Sequence, residues 1–300
     1  MKRSHKLFAA AGAFTLASVV TGQYFHHRFV KRVPDPRPPE ELLEPWTSMI
    51  SPNNITSWEI QSFDDLQLKA YYFNRPEKSH KYAILVHGYH DRGLGMTDYG
   101  RGFYQHGYNL LVPDLRGHGE SEGHYIGFGW HDHRDVIRWI YRLIEEDPSA
   151  SIVLFGLSMG AATVMMVSGD PLPPNVKCII EDCGYTSAWA ECAEQLHVQF
   201  KLPPFPVLNM ANLIMRFTDH YTLRDANAIR QVAKSITPML FIHGEEDTFV
   251  PYAMLAPLYE TATCEKQKLS IPGAGHAQCV RQAPELYWKT IRAFVDKYID

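Results

Sequence analysis

The stretch VLFGLSMGAAT, residues 153–163, places a serine between two glycines, where an apolar run typical of a strand meets a run typical of a helix. Such a tight turn forces Ser158 toward a strained backbone conformation and points its side chain outward. Gly156 and Gly160 leave space that any Cβ would fill. The pattern G-x-S-x-G therefore predicts a nucleophile elbow, a turn that presents a serine hydroxyl for chemistry.

Short apolar runs recur along the chain on both sides of this stretch. They follow an antiparallel opening that ends at Phe73, and they occupy residues 82–86, 109–112, 151–155, 176–180, 238–242 and 267–271. The runs are continuous rather than alternating, which is typical of strands buried on both faces. Helical segments separate them, so the sequence predicts an α/β fold with a mostly parallel central sheet and helices on both faces. In such sheets the functional site lies beyond the carboxyl ends of the strands, where Ser158 falls.

The segment 185–234 interrupts this alternation and is too long for a simple crossover. Its sequence is helical and apolar in character, and prolines break it at positions 203, 204 and 206. We interpret it as a small helical cap over the site. Glu191 and Glu194 fall on an amphipathic helix of this cap, where we expect them to face solvent.

The N-terminal region has a composition unlike the rest of the chain. Residues 1–6 are basic, residues 7–25 are apolar and uncharged, and residues 26–48 form a basic and proline-rich stretch. At helical rise the apolar run reaches roughly 28 Å, close to the thickness of a bilayer core. It predicts a single-pass membrane anchor with the catalytic domain outside, and a cleaved secretion signal and a buried helix remain alternatives. Residues 26–48 are interpreted as a linker, and residues 49–300 as the globular domain.

The charge composition limits the kinds of molecule that this protein is expected to bind. Acidic residues outnumber basic ones, 33 to 29, and the first 37 positions are enriched in basic residues, with seven Lys or Arg and one acid. The acidic remainder argues against nucleic-acid binding. The five cysteines show no C-x-x-C spacing, which argues against a disulfide framework and a zinc site. They are Cys178, Cys183, Cys192, Cys264 and Cys279.

A serine hydroxyl needs a base to take its proton and a third group to orient that base. In an α/β sheet with an elbow these partners follow the serine in the order acid, then histidine. The stretch LSIPGAGHAQ delivers His276 in a glycine-rich turn after the last strand, which predicts this residue as the base. The acid is predicted to be Asp247 in HGEEDTFVP, with Asp182 at the end of the preceding strand as the alternative. The neighbouring Glu245 and Glu246 are expected in a solvated turn.

The negative oxygen of a tetrahedral intermediate needs hydrogen-bond donors. One predicted donor is the backbone N–H of Met159, directly after the serine. The second is the backbone N–H of Tyr89, in the loop HGYHDRG that follows the strand at 82–86.

Five motifs, taken in order, resemble those of the α/β-hydrolase superfamily over residues 58–298. They are HGY, DLRGHGES (114–121), GLSMG, HGEEDTFVP and GAGHA. The DLRGHGES turn and the overall layout resemble the serine aminopeptidase and monoglyceride-lipase-like branch, and the whole chain resembles membrane-associated bacterial hydrolases. The resemblance implies Ser158, Asp247 and His276 as a catalytic triad. The loop HGYH departs from the HGGG of many lipases and esterases.

A competing metal site would use the histidines that follow DLRGHGES. They are His118, His124, His131 and His133. The last two are two residues apart and would point to different sides of a helix, so we predict no metal site there. Asp114, Arg116 and Glu120 are expected to brace the loop. No cofactor is predicted.

These observations together predict a serine hydrolase that cleaves carboxylic esters of small or apolar acyl groups through an acyl-enzyme. A peptidase or aminopeptidase with the same triad is one alternative. A non-catalytic binding protein on a hydrolase scaffold is another. The expected partners are a small ester or a short peptide and, through the N-terminal helix, a membrane. Nucleic acid is not expected, and the sequence makes no prediction of oligomeric state.

Overall fold

One eight-stranded sheet organises the chain, in a computed structural model that describes residues 16–32 and 34–299. The strands lie side by side in the order β1-β2-β4-β3-β5-β6-β7-β8. Their bounds are β1 (Ile55–Gln61), β2 (Gln67–Phe73), β3 (Lys81–Val86), β4 (Asn109–Pro113), β5 (Ser151–Leu157), β6 (Val176–Asp182), β7 (Met239–Gly244) and β8 (Lys266–Ile271). β1 pairs with β2 and β2 with β4 in antiparallel fashion, and every other neighbouring pair is parallel. The predicted α/β class is therefore confirmed.

Helices cover both faces of this sheet. They are α1 (residues 16–25), α2 (Pro39–Thr47), α3 (Thr97–Gln105), α4 (Trp130–Glu146), α5 (Met159–Val167), α6 (Ala188–Phe200), α7 (Val207–Thr218), α8 (Ala228–Val232), α9 (Leu255–Thr261), α10 (Cys279–Gln282) and α11 (Pro284–Val295). A short π-helix, His26–Val30, extends α1. Single 3₁₀ turns lie at Pro52–Asn54, Gly93–Met96 and Tyr252–Met254.

The pleat of the sheet separates two apolar cores. On β5, Ile152 and Leu154 face the core that α4, α5, α8 and α9 complete. Val153 and Phe155 face the other core, which α2, α3 and α11 complete. Because both faces are packed, the central strands are buried along their whole length, which is why their sequences are continuously apolar.

Three helices, α6, α7 and α8, lie within the segment 185–234 that the sequence assigns to a cap. α8 packs against α5 and α9 of the main body. α6 lies over the carboxyl end of the sheet, where its side chains share a cavity with Ser158. The exact extent of the cap and the other domain boundaries stay predictions.

The prediction of a transmembrane signal anchor, with a catalytic domain held outside a membrane, is corrected by the structure. Within residues 16–32 and 34–299, no helix combines the length and the apolar character that a membrane crossing requires. Residues 7–15 of the predicted span lie outside the described residues. Residues 16–25 form α1, and its buried positions 18, 22 and 25 recur at helical spacing. Gly22 lies tightly against Met210 of α7, so this face of α1 is covered by protein.

The described part of the stretch interpreted as a linker, residues 26–32 and 34–48, contains two fully buried side chains, Val30 and Trp46. Trp46 of α2 stacks on Phe73 of β2 with ring centroids 4.3 Å apart. Its indole N–H donates to the carbonyl oxygen of Leu94 at 2.8 Å. Trp46 therefore attaches the segment before residue 49 to the edge of the sheet.

Replacing Trp46 by alanine tests how much this attachment stabilises the fold. We expect Trp46→Ala to lower the free energy of unfolding by about 3–5 kcal/mol, because it leaves a large cavity at a fully buried site. Guanidinium denaturation at fixed pH measures the change. Phe217→Ala is the control, since that ring is 73% exposed, and its effect should stay within about 0.5 kcal/mol. Similar losses in both variants would contradict the packing role of Trp46.

Candidate active site

Ser158 alone connects β5 to α5. Its backbone has φ 55° and ψ −114°, a left-handed conformation that side chains rarely adopt. A Cβ on Gly156 would overlap the carbonyl of Gly160, and a Cβ on Gly160 would overlap the carbonyl of Val86 on β3. The two glycines thus allow the turn to lie directly against its own strand and the neighbouring one, and the serine side chain is left facing a cavity.

His276 contacts the serine from the turn that follows β8. Its Nε2 lies 2.8 Å from Ser158 Oγ, and its Nδ1 lies 2.7 Å from Asp247 Oδ2. In the tautomer that satisfies both contacts, Nδ1–H donates to the carboxylate and Nε2 accepts the serine O–H. The ring of Phe249 lies 4.9 Å from the imidazole, centroid to centroid, and shields it on one side.

Asp247 is buried at the carboxyl end of β7 and is held by several donors. Its Oδ1 accepts the backbone N–H groups of Phe249 and Val250 at 2.9 and 3.0 Å. His243 Nε2 lies 3.4 Å from Oδ2. Burial alone would raise the pKa of Asp247, but the two histidines outweigh it and lower the pKa to about 2. The carboxylate is therefore ionised near neutral pH and can orient His276 there.

The alternative acid, Asp182, lies at the end of β6 but bonds elsewhere. Its Oδ2 accepts the hydroxyl of Tyr287 at 2.8 Å, and its backbone carbonyl accepts the N–H of Ser158. Burial raises the pKa of this carboxyl to about 6. Glu245 and Glu246 are exposed in the turn after β7. The structure therefore brings Asp247, rather than Asp182 or the two glutamates, into hydrogen-bond contact with His276.

The two predicted oxyanion donors flank the serine. Met159 is the first residue of α5, so its N–H has no acceptor within its own helix. Tyr89 follows Gly88, which lies close to the serine: a Cβ added to Gly88 would be 3.4 Å from the Cβ of Ser158. The Tyr89 hydroxyl donates to the carbonyl of Phe29 at 2.8 Å, which fixes the loop against the N-terminal segment. Both residues line the same cavity as Ser158.

That cavity has a volume of about 200 Å³ and a largely aromatic wall. The main body contributes Tyr89, Phe128 and Phe249. The N-terminal segment contributes Phe25, Arg28 and Phe29, and α6 contributes residues that include Glu191, Cys192, Gln195 and Leu196. The site is thus built from three parts of the chain that are far apart in sequence.

Glu191 departs from the sequence expectation of a solvent-facing residue. The structure leaves it only 6% exposed, in the wall of the cavity. Oε1 accepts an N–H of Gln195 at 3.0 Å, and Oε2 has no partner among the described residues. Burial raises the pKa of this carboxyl to about 8. The expectation was wrong because the loop after β7, which contains Phe249, covers the face of α6 that carries Glu191. Gln195 on the same face donates to the carbonyl of Phe249 at 2.7 Å.

A stability profile against pH tests the burial of Glu191. With a pKa near 8, the folded state keeps a proton that the unfolded chain releases above about pH 4.3. The free energy of unfolding should therefore fall as pH rises from about 4.3 through about 8, with a slope from this group of up to about 1.4 kcal/mol per pH unit. Glu191→Gln should remove this contribution to the slope. Urea denaturation of the wild type and of Glu191→Gln at several pH values measures it as the difference between their two profiles. Parallel profiles would contradict the raised pKa.

The groups predicted to brace the loop after β4 do so. Asp114 accepts the N–H groups of Gly93 and Glu120 at 2.7 and 2.8 Å. Arg116 pairs with Asp64 and Asp135. These bonds hold the 114–121 turn without involving Ser158.

The nearby histidines have separate partners. His118 contacts the carbonyl of Arg116, His131 contacts the hydroxyl of Tyr125, and His133 lies 3.3 Å from Asp170, while His124 is exposed. Elsewhere, ligand atoms of Cys183, Asp247 and His276 lie within 4.8 Å of one another. Burial raises the pKa of the Cys183 thiol well above its usual range, so it is protonated and a poor ligand. The donor set suits hydrogen bonding better than metal binding.

A central strand–serine–helix turn, with two antiparallel strands at one edge of a parallel sheet, is the architecture of the α/β-hydrolases. The family described as "Serine aminopeptidase, S33" matches residues 77–200. A Bacillus subtilis (strain 168) protein, YqkD, is 25% identical over 98% of both chains. The chain therefore has the α/β-hydrolase fold, and residues 77–200 are similar to the serine aminopeptidase S33 family.

Solved structures share this fold at low sequence identity. A Pyrococcus furiosus esterase superposes with a TM-score of 0.70 and 20% identity, covering 91% of this chain and 98% of its own. A Pyrococcus horikoshii acylaminoacyl peptidase superposes with a TM-score of 0.60 and 17% identity, covering 81% of this chain and 41% of its own. These likenesses show the fold, and the names of the two neighbours include an esterase and a peptidase. The family match over residues 77–200 supports a serine hydrolase.

The sequence did not predict several residues of this site, among them Phe25, Phe29, Glu191 and His243. The spacing of the two phenylalanines, four residues apart, was an available signal for a helical face packed against protein. His243 lies in an apolar strand directly before the predicted acid, a position where a polar side chain needs a partner. Glu191 carried no such signal, because its burial depends on packing between the cap and a distant loop.

Proposed function

We propose that this protein hydrolyses carboxylic esters through a covalent acyl-serine intermediate, with Ser158, His276 and Asp247 as its catalytic triad. The observation that carries the proposal is the position of His276, within hydrogen-bond distance of both Ser158 and Asp247. These two contacts support a role for Ser158 as the nucleophile, for His276 as the base and for Asp247 as the group that orients the base. The strained backbone of Ser158 supports it too, since strain of this kind concentrates at functional sites.

In the first half of the reaction His276 Nε2 takes the hydroxyl proton as Ser158 Oγ attacks the acyl carbon. The carbonyl oxygen becomes an oxyanion, which the N–H groups of Met159 and Tyr89 stabilise. Nε2–H then gives its proton to the leaving alcohol as the ester C–O bond breaks, and an acyl-enzyme remains. In the second half a water molecule attacks that acyl group, His276 takes a proton from the water, and Ser158 recovers it when the acid leaves. Asp247 stays ionised throughout and stabilises the imidazolium.

The cavity supports an ester with an apolar acyl group. Aromatic and aliphatic side chains dominate its wall, and each methylene buried there contributes about 0.8 kcal/mol. A volume of about 200 Å³ exceeds the roughly 150 Å³ cavity that accommodates benzene in an engineered protein core. A butyryl group or a single aromatic ring therefore fits beside Ser158.

Three substitutions test the triad. On p-nitrophenyl butyrate, Ser158→Ala should lower kcat by about 10⁶, and Asp247→Asn by about 10⁴ because the imidazole loses its required tautomer. Asp182→Asn, the matched control, should remain close to the wild type, since Asp182 bonds Tyr287 and not His276. Steady-state kinetics with thermal denaturation of each variant supply the measurement. An inactive Asp182→Asn beside a nearly normal Asp247→Asn would reverse the assignment of the acid.

Glu191 supports a second candidate, the hydrolysis of an amide or peptide that carries a free amine. An ammonium group in the cavity would find an unpaired carboxylate oxygen, and pairing with it would favour the ionised form of Glu191. This observation removes one argument against a peptidase, namely the lack of a buried anionic partner. The apolar remainder of the wall still favours the ester.

A comparison of matched substrates separates the two candidates. We expect kcat/KM on p-nitrophenyl butyrate to exceed that on alanine p-nitroanilide, with Glu191→Gln leaving the ester reaction largely intact. If the amide is the true substrate, it should be cleaved at least as well as the ester. Glu191→Gln should then reduce amide cleavage by about 10²–10³, because a buried charge loses its partner. Glu194→Gln, on the same helix but outside the cavity, is the control. Failure to cleave either substrate would favour the non-catalytic alternative.

A further inference from the structure

A second cavity lies directly behind the one that contains Ser158. It has a volume of about 150 Å³, and its lining surface is apolar. The two cavities share the side chains of Phe25, Phe29 and Leu196, so the partition between them is one side chain thick. We refer to the cavity with Ser158 as the inner cavity. The outer cavity is completed by Thr21, Tyr24, Phe200, Leu202 and Val207.

The partition belongs to a segment that is firmly attached to the body. We call residues 25–32 the strap. Ile126 N–H donates to the carbonyl of Val30, and Arg32 donates to the carbonyls of Gly119 and Ser121. At the other end, His26 Nε2 lies 2.6 Å from Asp219 Oδ2 of the cap. The strap therefore forms a built wall between the inner and outer cavities.

Phe29 is the least buried of the three side chains in the partition, since Phe25 and Leu196 are each 3% exposed. Phe29 is only partly buried, and its ring meets Phe25 at 4.8 Å and Phe200 edge-on at 6.1 Å. Rotamer changes of such a ring cost little compared with movement of a hydrogen-bonded backbone. Rotation of the Phe29 ring would therefore open a path for a thin hydrocarbon chain while the strap stays in place.

We infer that the two cavities form one acyl-binding track, in which the outer cavity takes the far end of a medium-length acyl chain. The inference rests on the proposed ester hydrolysis and specifies its substrate as an unbranched acyl ester of about eight to ten carbons. About six carbons, as in benzene, fill 150 Å³, so the outer cavity roughly doubles the length that the inner one accepts. The apolar lining selects hydrocarbon over a peptide, whose amide groups would remain unpaired there.

Chain-length kinetics test the track. The wild type should show a kcat/KM for p-nitrophenyl octanoate at least about tenfold above that for the butyrate, since each buried methylene contributes up to about fourfold. Leu202→Asp places a charge in the outer cavity at a side chain that is 41% exposed, and it should reduce the octanoate-to-butyrate ratio by about tenfold or more. Leu213→Asp is the matched control, because Leu213 is 49% exposed on the same cap and lines neither cavity, so it should leave the ratio unchanged.

Two further measurements complete the test. Phe29→Ala joins the cavities and should raise the octanoate-to-butyrate ratio above that of the wild type. An inverted wild-type preference, or a ratio that Leu202→Asp does not change, would overturn the track while leaving ester hydrolysis intact.

Binding of decanoate to Ser158→Ala, measured by calorimetry with and without Leu202→Asp, does not depend on turnover. If the wild type cleaves no ester but Leu202→Asp still weakens decanoate binding, the track is preserved and the proposed function is rejected. Absence of that binding would count against the track itself.

Discussion

The contact between Gly160 and the carbonyl of Val86 is the constraint on which the rest of the site depends. It allows α5 to begin directly beside β3, and this position forces Ser158 into its left-handed backbone conformation. The sheet order β3-β5-β6-β7-β8 then aligns the carboxyl ends of the strands next to that serine. Asp247 and His276 follow the two strands at the far edge, so neither needs a long loop to reach it. A residue larger than glycine at position 160 would move Ser158 relative to every one of these groups.

Three carboxyl groups near the serine show how partners, rather than burial alone, determine protonation. Asp182, Glu191 and Asp247 are all buried. Two histidines, His243 and His276, lie against Asp247, and they outweigh burial and lower its pKa. Asp182 has the uncharged side chains of Tyr287 and Cys279 as partners and Glu191 has the amide of Gln195, and burial raises both pKa values. The site thus places one ionised carboxylate, Asp247, beside Glu191, whose raised pKa keeps it largely neutral near physiological pH, while Asp182 titrates between the two.

Local signals in the sequence were enough to predict the fold class and the residues that meet at Ser158. An elbow needs small neighbours, a strand buried on both faces needs continuous apolar residues, and both requirements are visible within a few positions. The N-terminal prediction failed for a different physical reason. An apolar run shows that a surface avoids water, but it does not say whether lipid or protein covers it, and here positions such as Gly22 and Phe25 face the protein. The burial of Glu191 could not be predicted from local sequence either, since it depends on contacts between α6 and the loop after β7.

The attachment of the strap also has a consequence for the order in which this protein matures during synthesis. Residues 25–32 leave the ribosome early, yet Arg32 bonds to carbonyls almost ninety positions later in the chain, and His26 pairs with a residue 193 positions away. The contact between His26 and Asp219 can therefore form only after the cap has been made. Contacts between positions this far apart require closure of a long loop, which slows their formation. The wall that Phe25 and Phe29 supply to the cavity is consequently fixed to the cap only after the turn at Ser158 has been synthesised.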